Sequence, residues 1–105
     1  MPGPGATMPT LTAIDDPDGR PHAPLFEGEP RVVRLTLGAA ESVAPHRHPD
    51  TTVLLHVLSG HLAVALDGES HEVTAGEVLR FSGEREVAPT AREPTTALVV
   101  IAATD

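Results

Sequence analysis

Cysteine, lysine, asparagine, glutamine, tryptophan and tyrosine are all missing from this 105-residue chain, and Phe26 and Phe81 are its only aromatic residues besides histidine. Without cysteine there are no disulfides, thiolate metal ligands or thiol nucleophile. Without lysine no Schiff base can form, so chemistry falls to His, Asp, Glu, Ser, Thr and Arg. Long apolar runs are absent too. None approaches the roughly 20 residues needed to span a bilayer, and the opening "MPGPGATMPT" has neither the basic start nor the apolar middle of a secretory signal. A soluble, cytoplasmic protein with no membrane partner is the expectation.

Positive charge is scarce. Fifteen acids against seven arginines leave a formal net charge of −8, which repels phosphate backbones, and almost no rings are present on which bases could stack. Nucleic acid is not an expected partner. An acidic, lysine-free surface suits a salt-rich cytoplasm, and a GC-rich genome would produce the same bias.

Six of the eleven prolines fall in the first 24 residues, a stretch without sustained periodicity that reads as a flexible arm with room for one short strand. Met8 is an alternative start. The "DDPDG" at 15–19 lacks the spaced acidic ligands of a calcium loop and reads as a proline turn. From residue 25 to 105 the pattern is that of one domain, since a single core serves about 100 to 200 residues. With so few rings, valine and leucine must pack that core.

Gly60, Gly68, Gly76 and Gly83 recur at intervals of eight, eight and seven, the cadence of successive antiparallel strands. "RVVRLTL", "HLAVAL", "HEVTA", "EVLRF" and "TALVVIA" read as strands, and Asp67-Gly68 is a hairpin turn signal. Val53–Leu58 and Ala97–Ala102 are apolar on both faces, so one face should meet the core and the other a second sheet or a second subunit. The expected fold class is all-β, a sandwich or small barrel.

The stretch "PHRHPDTT" carries the chemistry. His46 and His48 lie two apart, and on a strand such residues share a face, so both imidazoles can point together and offer a chelating edge. His56, His61 and His71 fall on the opposite strand phase from their apolar neighbours and are expected at the surface. Thr51 and Thr52 suit a strand through their branched side chains, Arg80 is expected on an exposed strand position, and "GEREV" reads as a solvated turn. Ser42, Ser59, Ser70 and Ser82 sit in no nucleophile-elbow context.

Taken together, residues 35–101 resemble a small single-domain cupin, an RmlC-like jelly roll or double-stranded β-helix. The first cupin motif runs Gly, five residues, His-x-His, three or four residues, Glu, six residues, Gly. His46, His48 and Gly60 match it; Gly38 lies two residues too early, and the glutamate place falls on Val53 or Thr52 according to the direction of counting. In the second motif Gly76 matches, but Ser82, Glu84, Val87 and Ala91 stand where the family has proline, glycine, histidine and asparagine.

The resemblance implies a jelly-roll barrel and a metal held by three histidines and a glutamate, of which this chain supplies His46 and His48. Asp50 and Glu86 are the nearest carboxylates that could complete a site, Glu86 by a one-residue register shift. A divalent transition metal, iron, manganese, nickel or zinc, would then be the cofactor. The missing ligands favour a binding module, a homodimer that takes a small molecule and at most a loosely held metal in the barrel mouth. The alternative is a metal-dependent dioxygenase, isomerase or decarboxylase-like enzyme. Fold alone does not identify a substrate.

Overall fold

The structure, a computed structural model, describes residues 9–14, 21–26 and 28–104. The Met8 start and the "DDPDG" turn lie outside the described residues. Eight strands are present among those described: β1 (His22–Pro24), β2 (Arg31–Leu37), β3 (Thr51–Ser59), β4 (His61–Leu66), β5 (Glu69–Thr74), β6 (Val78–Ser82), β7 (Val87–Ala91) and β8 (Thr95–Ala103). No helix is found among them, so none is long and apolar enough to cross a membrane.

The strands pair antiparallel throughout. One sheet has the order β1-β2-β8-β3-β6 and the other β5-β4-β7, and bridges Ser42↔Thr90 and His46↔Val87 lay residues 42–46 along the free edge of β7. Two facing antiparallel sheets with this strand order form an all-β jelly roll. Alternation decides which side chains fill it. Val53, Leu55 and Val57 of β3 face inward with Leu35 and Leu37 of β2, Ala97 and Ile101 of β8, and Leu62, Val64 and Leu66 of β4. Val53, Val57, Leu62 and Val64 are completely enclosed, each burial stabilising by about 1.5–3 kcal/mol. The aliphatic core anticipated from the scarcity of rings is therefore present.

Asp67 and Gly68 both adopt positive φ, 50° and 86°, as the two-residue turn between β4 and β5 requires. The two-faced segments are buried on their inner side only. On the outer side Leu54 is 37% exposed and Val78 of the neighbouring strand 56%, and Leu98 and Val100 are half-buried.

One strand departs from the sequence reading. β7 contains Pro89, which removes a backbone donor and argues against a strand, but an edge strand of a three-stranded sheet tolerates it. The short strand for which the Pro/Gly-rich arm had room is β1, which pairs with β2 in the register His22↔Leu35, Ala23↔Arg34, Pro24↔Val33. Residues directly opposite in an antiparallel pair share a face, so His22 and Pro24 stand on the inward side with Val33 and Leu35. Arg34, on the outer side, donates from Nη1 to the Ile14 carbonyl at 3.2 Å and holds the arm against the sheet.

Candidate functional site

One end of the barrel is formed by the start of β2, the end of β8 and the chain entering β3. There Val33, Val99 and Ile101, with Pro24, floor a cavity of about 340 Å³, and His22, Arg31 and His48 supply its polar rim. Small-molecule sites are typically about 300–1,000 Å³ and combine an apolar lining with a few convergent polar groups.

His48 is placed by its backbone. Its N–H donates to the Gly83 carbonyl at 2.8 Å, Gly83 N–H donates to Thr51 O at 2.8 Å, and Thr51 Oγ1 donates to His48 O at 2.6 Å. A Cβ at Gly83 would collide with His48 O and Thr51 Oγ1, so only glycine lets the β6–β7 turn approach this closely. The turn at 83–86 is thus not simply solvated: Glu84 Oε2 accepts from Asp50 N–H at 2.6 Å, and Arg47 Nε donates to Glu84 O at 3.0 Å.

His46 is positioned differently, through its bridge to Val87, which puts both residues on one face. Its Nδ1 lies 2.8 Å from Ala44 O. When Nδ1 carries the proton and donates it there, Nε2 keeps its lone pair. The His46 and His48 rings meet edge to face, with centroids 4.7 Å apart. The expectation that they come together therefore holds, although residues 47 and 48 are irregular chain rather than strand.

Burial, followed by the positive charge His46 would carry, lowers the His22 pKa below 6.5. Burial also lowers that of His48, with His46, Arg31 and His22 adding to the effect in that order. Both rim imidazoles thus favour the neutral form near neutral pH. The Arg31 guanidinium makes no hydrogen bond or ion pair with any described residue.

The two carboxylates considered as further ligands are not brought to the imidazoles. Glu86 neighbours the inward Val87 and so turns the other way, 3.7 Å from Arg47 Nη1, while its N–H is held by Asp67 Oδ1 at 3.0 Å. The His46↔Val87 bridge fixes that register. Asp50 occupies the turn before β3 with φ 62° and is exposed. The family's glutamate place resolves to Val53, which is 1% exposed and inward, rather than Thr52, whose side chain lies on the other face. Its histidine place is Val87, also buried.

No group of three His, Cys, Asp or Glu able to hold a metal exists among the described residues. Two imidazoles flanked by buried valines do not fit the three- or four-donor sphere that a tightly bound transition metal needs.

The remaining histidines divide. His56 points outward with Leu54, and His61 outward with Ala63, where its Nε2 lies 2.6 Å from Glu72 Oε1. His71 departs from expectation: it pairs with the enclosed Val64, so it shares the inner face of Val73 rather than opposing it. Arg80 pairs with Leu54 and is exposed on the outer face, as anticipated.

Sequence reasoning passed over Arg31 and His22. The signal for Arg31 was available, because the alternation that sends Leu35 and Leu37 inward also sends Arg31 and Val33 inward. His22 had no comparable local signal.

The Cupin domain family model matches residues 31–101. Among solved structures, an RmlC-like cupin from Desulfovibrio desulfuricans superposes with a TM-score of 0.71 at 24% identity, covering 77% of this chain and 79% of the other. KdgF from Halomonas gives 0.70 at 17%, covering 84% and 86%. A predicted oxalate decarboxylase from Thermotoga maritima gives 0.69 at 21%, covering 78% of each. At these identities the likeness is one of fold. No curated protein matches the chain in sequence.

Proposed function

The chain belongs to the cupin-domain family, and from that premise we propose that it is a binding barrel which takes a small molecule into the mouth between His48 and the inward faces of β2 and β8. The observation that carries this reading is the cavity of about 340 Å³ with an apolar floor and a rim of His22, Arg31 and His48. The donor set argues against a resident catalytic metal, because both further family ligand places hold enclosed valines. Any divalent ion on His46 and His48 would be loosely held.

The test is metal analysis of untagged protein combined with a small-molecule binding screen read at the Val33, Val99 and Ile101 methyls. Binding that persists in metal-free protein supports the reading. Near-stoichiometric metal that disappears in His46→Ala would overturn it in favour of a metal-dependent dioxygenase, isomerase or decarboxylase-like enzyme.

The chain is also proposed to pair with a second copy through the outer face of its five-stranded sheet, where Leu54, Val78, Leu98 and Val100 form an incompletely covered apolar surface. Sedimentation at micromolar concentration should give a dimer that Leu54→Glu converts to monomer. A monomeric wild-type protein would remove this part of the proposal.

A further inference from the structure

The cavity rim has a chemistry that the family's metal frame does not provide. In a chain with a formal net charge of −8, none of the described residues lining this cavity is acidic. The one fixed charge among its described lining residues is the Arg31 guanidinium, which stands at the inward start of β2. Arg31 is exposed at the mouth and has no ion-pair partner among the described residues. His22 and His48 complete the rim from two unconnected parts of the chain, β1 and the turn before β3, and each imidazole can donate one hydrogen bond. Beneath them Val33, Val99 and Ile101 offer only methyl groups.

A guanidinium is a rigid planar donor that matches a carboxylate bidentately. A single such group above an apolar floor suits one anionic head with a hydrocarbon body. A sugar would leave hydroxyls unpaired against the valines, and a phosphate ester or dicarboxylate would bring more charge than one arginine offsets.

Resting on the proposed barrel-mouth site, we infer that the ligand is a small monocarboxylate with an aliphatic or cyclic hydrocarbon body, bound directly by Arg31 with hydrogen bonds from His22 and His48, without a bridging metal ion.

The test uses full-length, EDTA-treated protein with ¹³C-labelled methyl groups. Hexanoate and 1-hexanol serve as probes up to about 10 mM, the range in which ligands of this size bind. The expected result is that hexanoate shifts the Val33, Val99 and Ile101 methyls and binds at least tenfold tighter than hexanol. Arg31→Gln should remove at least tenfold of the hexanoate affinity while hexanol binding is kept. Arg80→Gln makes the same change of net charge on the outer face and should leave both unchanged.

Arg31 is exposed, so its replacement leaves the core intact, and a dispersed methyl spectrum checks that directly. Equal binding of acid and alcohol at these methyls would overturn the carboxylate inference while leaving the pocket in place. The inference is overturned in the same way if hexanoate binds only after zinc or manganese is added, or if Arg80→Gln weakens it as much as Arg31→Gln. Shifts from neither probe would overturn both the inference and the barrel-mouth reading.

Discussion

Replacing Gly83 by alanine tests whether the position of His48 depends on the close approach of the β6–β7 turn. The added methyl group would occupy the space of His48 O and Thr51 Oγ1. To admit it, the turn at 48–51 must move away and lose part of three hydrogen bonds: His48 N to Gly83 O, Gly83 N to Thr51 O, and Thr51 Oγ1 to His48 O. Each bond contributes about 0.5–1.5 kcal/mol, and overpacking a tight site costs about 1–3 kcal/mol, so the expected loss is about 2–5 kcal/mol. For a domain of this size that corresponds to a fall in melting temperature of roughly 10–30 °C.

Gly68→Ala is the control. Gly68 has φ 86° but nothing within 4 Å of the new methyl, so only backbone strain of about 1–2 kcal/mol applies. Urea denaturation of both variants separates steric from conformational cost. In the surviving native population of Gly83→Ala, close contacts between the His46 and His48 rings should also weaken in NMR spectra. The reasoning fails if Gly83→Ala loses no more stability than Gly68→Ala.

Val87→His should place a third imidazole on the face shared with His46 and raise zinc or nickel affinity of untagged protein at least tenfold, about 1.4 kcal/mol, whereas Glu86→His on the opposite face should not; calorimetric titration that shows equal gains would contradict the register. Glu72 is held by Arg92, which donates from Nε to Oε1 at 3.0 Å and from Nη2 to Oε2 at 2.9 Å, and by His61; the Arg92 hydrogen bonds foremost lower its pKa from 4.5 to about 2. Because the folded value is depressed, the stabilisation is present above about pH 4.5 and lost as pH falls toward 2. Carbon NMR titration of the Glu72 carboxyl should show the low midpoint and its rise in Arg92→Ala, and an ordinary midpoint in the wild type would refute the assignment.

The strands were legible because local alternation and turn glycines carry them. "RVVRLTL" and "HLAVAL" coincide with β2 and β4, and the other recognised segments shift by only one or two residues at their ends. β7 was hidden by Pro89, whose cost depends on whether a neighbour needs its missing N–H, a fact of sheet order rather than of sequence. The pairing of His46 with His48 was readable from their spacing, whereas the fate of Glu86 was not. Its direction depends on the bridge between His46 and Val87, residues 41 positions apart. His71 was legible as well: it lies two residues before Val73, so alternation alone puts both on one face, the face on which its partner Val64 lies.

The selectivity proposed for the site rests on the same placements. Arg31 stands near enough to His48 to disfavour a single proton on it, and Coulomb's law makes a doubly charged ion there more unfavourable still. A metal-binding barrel offsets such repulsion with a carboxylate ligand, and Val53 has removed it from the inward position where the family motif has glutamate. An anion experiences the opposite sign of every one of these terms. On the proposed reading, the valines at two ligand places and the inward phase of Arg31 both favour a negatively charged group over a cation in the mouth.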